Sequence, residues 1–485
     1  MDTAQRQTLI PFRRDFALPQ HDPEQLQPLV DAVLKLLERT GVRCDAPAAL
    51  DVFAEAGAAV DRDTRQVRLS AELIQVALGT APRTFTLCAR DPQLDLPLSP
   101  DVSFMTTDGC GTEVIDRATG QRRPSTKDDL VELTHLQDYL GSVQFWSPTV
   151  GAGDRGETAQ VHEVEVGLDW TEKHLMGMVQ GGRLARAMVE MARAVAGGTE
   201  ELRRRPLLSD LIGTVSPLVL DRDATEAALV CAEAGVPVCF VTMPTLGTTA
   251  PATHAGAWAV GSAEIVASAV LLQLAYPGCP VLGSLMQSNA DPRTGGTVTW
   301  PLHQRARSAR VELVHAFGLP TLAGAGGTDD PNAGGWQDGS ETALGLSRGL
   351  FENAELLTGG GLVNVYQLSA PESLLLGDDI YRHVCDLLRG DEVTDETLAL
   401  ETVEEVGPGG HYLGARHTRT NMRHAVIRGL AHQPSESGLG YRDPVVVARE
   451  RTDEILAKYE PRRLPEDLRG ELARIVAAVD AVVAR

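Results

Sequence analysis

Eight groups of polar and aromatic side chains recur along the chain, each directly after a short apolar run. Thr106, Thr107 and Asp108 form the first, Trp146 and Ser147 the second, and Gln180 the third. Asp210 and Thr214, then Thr242 and Met243, make the fourth and fifth. Gln287, Ser288, Asn289, Asp291 and Arg293 form the sixth; Thr328, Asp329, Asp330 and Trp336 the seventh; Asn364, Tyr366, Gln367 and Glu372 the eighth. Aromatics make up only 4% of the chain, yet Phe104, Phe145, Trp146, Trp336 and Tyr366 all fall at or near these positions, and Tyr412 follows in a Gly-rich segment. Ring faces beside carboxylates attract a cation that cannot donate hydrogen bonds, such as a quaternary ammonium. Phe104 and Phe145 have a second reading, as side chains that fill a core.

Other chemistries lack their residues. There is no G-x-S-x-G elbow and no H-E-x-x-H pair. Gly324-Ala325-Gly326-Gly327 follows an apolar run, but no Lys follows it, so it is not a P-loop; an anion site there is a secondary reading. His162-Glu163 and His303 read as solvated or structural residues on helical stretches. His254 opens a helix after Pro251.

The elements that must position these groups are the apolar runs themselves. They are Val102–Met105, Val143–Trp146, His174–Val179, Leu207–Val215, Val236–Met243, Pro280–Met286, Pro320–Gly326 and Leu356–Val365. Continuous apolar runs of this length suit strands buried on both faces. Each leads through a loop into a helix-like stretch, which predicts a (β/α)8 (TIM) barrel over 99–375, with its chemistry in the loops at the C-terminal ends of the strands. Glu113–Asp116 and Gln121–Pro124 flank a Thr119-Gly120 turn and predict a hairpin inside the first such loop. Ser125 and Asp128 resemble a capping box for the helix that follows. Residues 1–98 form a small α/β region, its bland role being to pack on the barrel or a partner subunit. Residues 376–485 form a helical extension with a Gly-rich loop at Gly407–Gly414 and terminal helices over Asp443–Tyr459 and Pro465–Val483.

Composition narrows the classes. Acidic residues outnumber basic ones, 66 to 44, for a net charge of −22, which argues against a phosphate-neutralising nucleic-acid binder. Seven scattered cysteines, Cys110 among them, without C-x-x-C pairs point to buried thiols and a reducing, cytoplasmic setting. No signal-like N-terminus and no run of 18 apolar residues is present, so neither export nor a membrane span is expected.

Five ordered segments carry a resemblance. They are Ala81–Leu87 with Ala89–Pro92, Asp116–Pro124, Gly247–Thr253, Asp291–Gly295, and Gly407–Leu413 with His417-Thr418. Together they span nearly the whole chain, which resembles the trimethylamine methyltransferase family in its members without pyrrolysine. The resemblance implies a barrel enzyme that moves a methyl group from a methylated amine to the Co(I) of a separate corrinoid protein. Family members acting on trimethylamine carry pyrrolysine, whereas this chain has only standard residues; the understood members without it demethylate quaternary amines such as betaines. In the seventh loop only Gln337, Gly339 and Glu341 fit the acidic-and-Gln pattern the resemblance implies. The expected enzyme has no catalytic nucleophile, base or metal of its own, and no cofactor bound by this chain. It takes a small quaternary ammonium substrate, works with a corrinoid protein, and forms a homo-oligomer. The expected substrate pocket comprises Phe104, Trp146, Asp210, Gln287, Asn289, Asp329, Asp330, Trp336, Tyr366, Glu372 and Tyr412. Two other readings fit the same residues: a different methyl donor, or a relative that holds a small ligand without methyl transfer.

Overall fold

A computed structural model describes residues 3–14, 21–109, 111–298, 308–390, 392–422 and 429–483; Cys110 and His303 lie outside them. Eight strands form the barrel: β1 (Val102–Thr106), β2 (Phe145–Trp146), β3 (His174–Gly177), β4 (Leu208–Gly213), β5 (Val238–Thr242), β6 (Val281–Leu285), β7 (Leu322–Gly324) and β8 (Leu356–Thr358). All neighbours run parallel, β2 through β6 in one ladder and β7–β8–β1 in another. Two backbone contacts close the ring. The Gly283 N–H donates to Pro320 O at 3.0 Å between β6 and β7, and Gln144 N–H to Met105 O at 2.7 Å between β1 and β2.

Strand alternation sorts the side chains. Phe104, Phe145, Met176, Cys239, Leu282, Leu322 and Leu356 point inward and pack as one apolar layer. Leu87, Leu96 and Leu98, from the segment just before β1, join this layer and plug the N-terminal end of the barrel. The residues between them face outward, among them Met105, Trp146, Leu208, Phe240 and Leu357.

Eight helices cover the strands: α1 (Lys127–Tyr139), α2 (Ala159–Trp170), α3 (Gly182–Ala196), α4 (Arg222–Ala234), α5 (His254–Ala275), α6 (Arg310–Ala316), α7 (Trp336–Phe351) and α8 (Pro371–Leu388). The cap of α1 falls one residue later than expected. Thr126 and Asp129 make the capping box, because Ser125 spends its hydroxyl on Gly151 O at 2.8 Å. Helix α8 runs across the boundary expected at 375, since Pro371 starts it and the apolar face that packs on the barrel continues to Cys385.

Among the described residues α5 is one helix long and apolar enough to cross a membrane, but 83% of its window is buried. It is apolar all round because it is covered on both sides. The barrel lies on one; on the other, Ala263, Val266, Ala267 and Val270 pack against Val33, Leu37, Phe53 and Ile74 of the N-terminal region.

The expected hairpin is present, with Glu113–Ile115 antiparallel to Arg122–Pro124. Leu368–Ser369 adds parallel to it, and Leu362–Val363 adds antiparallel to that pair. The first and eighth loops are thus woven into one four-stranded sheet at the C-terminal end of the barrel.

Candidate active site

Asp108 continues the inward series Phe104–Thr106 two residues beyond β1, so alternation aims its carboxylate over the lumen. The side chain is buried, and Oδ2 has no hydrogen-bond partner. Burial raises its pKa to about 7, opposed only by a hydrogen bond from Thr358 at the end of β8. An orphaned, buried carboxylate oxygen at a barrel mouth is costly in isolation and suits a cationic ligand.

Tyr366 closes over this group. A methyl group built on Gly327, just past β7, would lie 2.0 Å from Tyr366 Cε1 and 2.6 Å from Asp108 Oδ2. The ring and the carboxylate therefore meet at a glycine that has no room for a side chain, and whose φ of +82° favours glycine in any case. The glycine run after β7 serves this close approach.

The ring is held there by unusual backbone. Asn364, Val365 and Tyr366 all adopt left-handed φ, at 53°, 55° and 62°. Each such non-glycine residue costs roughly 1–3 kcal/mol, and such strain concentrates at functional sites. The seventh loop sustains it: Asn364 N–H donates to Asp330 O at 2.6 Å and Val365 N–H to Thr328 O at 2.9 Å. That loop is itself fixed by buried Glu341, which accepts from Thr328 Oγ1 (2.6 Å), Asp329 N–H (2.7 Å) and Gln337 Nε2 (2.7 Å). Below it, Arg310 ties the end of β7 down by donating to Gly324 O at 2.9 Å while paired with Glu352.

The remaining walls are soft and small. A methyl on Gly109 would meet Met178 Cε at 2.2 Å and Ser147 Oγ at 3.2 Å; one on Gly324 would meet Met286 Sδ at 3.6 Å and Thr358 Oγ1 at 3.9 Å. Asp108, Ser147, Met178, Met286, Thr358 and Tyr366 thus surround the C-terminal end of the lumen.

The expected pocket residues divide. Tyr366 is at the mouth. Gln287 and Asn289 follow β6 on the same side, each buried with one orphaned atom, Oε1 and Nδ2; Gln287 Nε2 contacts His254 Nδ1 at 2.7 Å. Asp329 is half-buried in the loop that holds Tyr366. Seven others are elsewhere. Phe104 belongs to the apolar layer below the site. Trp146 faces outward because Phe145 takes the inward position; its Nε1 donates to Thr134 Oγ1 of α1 at 3.0 Å, and its ring lies against Gly167 of α2. Asp210 also faces the helices, with Oδ1 accepting from Val179 N–H at 2.9 Å and Oδ2 from Cys231 Sγ at 3.7 Å. Asp330 turns back to accept from Asn332 N–H (2.9 Å) and Asp338 N–H (3.2 Å), capping α7. Glu372 pairs with Arg449 of the C-terminal region at 2.8 Å. Trp336 is 82% and Tyr412 44% exposed, so neither walls an enclosed site. Asp108 stands in the first of the eight polar groups but not in the expected pocket, although its phase with Phe104 marks it in the sequence.

Two expected outcomes follow from these placements. Trp146→Ala destabilises the protein by about 3–5 kcal/mol through a core cavity, read by denaturant unfolding, while the folded fraction keeps normal substrate affinity. Asp210, raised to about 7 chiefly by burial, binds a proton in the folded state between about pH 4 and 7 that the unfolded chain has released. Its contribution to stability therefore falls as pH rises through that window. Asp210→Asn removes this loss of about 2–4 kcal/mol while its amide oxygen still accepts from Val179. Thermal unfolding should show the variant gaining on the wild type from pH 5 to pH 8, with unchanged turnover.

A model of the family described as trimethylamine methyltransferase (MTTB) matches residues 2–482. Trimethylamine methyltransferase MttB of Desulfitobacterium hafniense is 30% identical over 466 residues, covering 95% of this chain and 94% of its own. Glycine betaine methyltransferase of the same species is 27% identical, covering 94% and 95%. Among solved structures, Methanosarcina barkeri monomethylamine methyltransferase (MtmB) aligns over 90% of this chain and 88% of its own, with 10% identity and a TM-score of 0.46. On the match to the family model along almost its entire length, this chain belongs to the trimethylamine methyltransferase family.

Proposed function

We propose that this methyltransferase removes a methyl group from a quaternary ammonium compound of the betaine type and passes it to the Co(I) of a separate corrinoid protein. The observation that carries the reading is Asp108: a buried carboxylate with an unpartnered oxygen, under a tyrosine ring, at the catalytic end of a barrel. The similarity to glycine betaine methyltransferase supports the substrate class, as does a chain of standard residues only.

The corrinoid supplies the electron pair that takes the methyl. The C–N bond breaks, and its electron pair stays on nitrogen, which leaves as a neutral amine. No proton moves, so the site needs neither base nor nucleophile. The chain's task is to hold the cation, exclude water and aim one methyl at the partner. Asp108 balances the charge, Tyr366 presents a ring face, and Met178 and Met286 supply dry contact to the methyl groups.

The test is demethylation in the presence of a Co(I) corrinoid protein, with glycine betaine, proline betaine, carnitine, choline and trimethylamine in parallel. Turnover of one of the quaternary compounds, with none of trimethylamine, is expected. Turnover of trimethylamine alone would overturn the substrate class, and so would no turnover of any, which would favour a different methyl donor or a relative that holds a ligand without methyl transfer. Tyr366→Ala should weaken binding of the active substrate roughly tenfold, and Tyr366→Phe should retain most of it.

A further inference from the structure

Between α8 and the C-terminal helix Pro444–Lys458, the chain leaves the body of the protein. From Glu392 to Met422 not one side chain is buried. The stretch nonetheless forms three short helices, Asp395–Leu398, Leu400–Val406 and Arg416–Asn421. Helices of this length do not hold themselves together in water, since nucleation is unfavourable and only a few hydrogen bonds follow it. They need a surface to pack on, and the residues for such packing are present: Val393, Leu398, Leu400, Val403, Leu413 and Met422 are all at least 45% exposed. On the second helix, Leu400 and Val403 sit three residues apart and share a face.

Charge along the arm identifies the surface. Its first half, 392–406, carries six acidic residues and no basic one. Its second half, 407–422, carries Arg416, Arg419 and two histidines and no acidic residue. A twofold axis brings the acidic half of one copy against the basic half of the other and satisfies both ends at once, as isologous interfaces require. We propose that the arm 392–422 is a dimerisation element whose occupant is the same arm of a second copy of this chain.

The full-length protein should therefore sediment as a dimer at micromolar concentration. Leu400→Glu with Val403→Glu should render it monomeric, as should Arg416→Glu with Arg419→Glu; both arms are exposed, so the barrel keeps its circular dichroism. The decisive arm is rescue in trans. A copy carrying Arg416→Glu and Arg419→Glu should pair with a copy carrying Glu401→Arg and Glu404→Arg, giving a mixed dimer where neither variant self-associates. A monomeric wild type overturns the proposal, and so does a dimer that survives both variants, which would place the arm against its own barrel, a corrinoid partner, or nothing. Failure of the mixed pair to form overturns the acid-to-base pairing.

Discussion

Asp108→Asn is expected to lower affinity for the quaternary ammonium substrate about a hundredfold or more at pH 8. A carboxylate and an ammonium about 4 Å apart at the effective dielectric of a protein site attract by roughly 4 kcal/mol, part of which offsets desolvation. The pH dependence gives the claim its signature. In the free protein, burial holds the Asp108 pKa near 7, so below that value the group is neutral and the wild type offers the cation no counter-charge. Affinity should rise with pH through about 7 and level off above it, while the Asn variant stays flat and meets the wild-type curve on the acid side. A neutral isostere, with carbon in place of nitrogen, should show no pH step with either protein. Calorimetric binding curves from pH 5.5 to 8.5 decide this. If the variant binds the cation normally at pH 8, or the wild-type step is absent, Asp108 is not the counter-ion.

Gly327→Ala should damage both the fold and the site. The added carbon collides with the Tyr366 ring and the Asp108 carboxylate, and the left-handed backbone adds its own cost. Overpacking costs about 1–3 kcal/mol and the backbone conformation about 1–2 more. Because relief requires moving the ring or the carboxylate, turnover should fall at least about a hundredfold, beyond the stability loss. Adding Tyr366→Ala removes the obstruction, so the double variant should recover much of the thermal stability that the single variant loses, without recovering activity. A Gly327→Ala protein as stable and active as the wild type would mean that the ring and carboxylate do not meet at this glycine.

Much of the architecture is legible in the amino-acid order because it is local. Each strand is an apolar run, each helix a cap and a stripe, and the hairpin from Glu113 to Pro124 is its own short-range unit. The site is less legible for two physical reasons. First, a residue at the end of an apolar run is inward or outward by alternation alone, and a shift of one reverses it. Phe145 and Trp146 differ only in this respect, and Asp108 and Asp210 differ in the same way: both are buried carboxyls with pKa near 7, one aimed over the lumen and one into the helix layer. Second, the position of Tyr366 depends on three left-handed residues bonded to carbonyls of another loop. No local pattern in Asn364-Val365-Tyr366 announces that conformation. Tyr412 shows a third limit: a Gly-rich loop after the barrel looks like a cover for the mouth, but the segment that carries it stands in solvent.

The weaving of the first loop with the eighth has a consequence for how the molecule comes into being. On the ribosome, Asp108 emerges early, ionised and hydrated, while the ring that will shelter it is still to be translated. Seven more strands must be made before Leu362–Ser369 can lie down beside Glu113–Ile115. Only then is the carboxylate sealed from water and the cation seat complete. A truncated product that stops short of β8 has the acid but not its shelter, and has no means of gripping a methylated amine. Competence for substrate therefore waits on the last of the loops to be made.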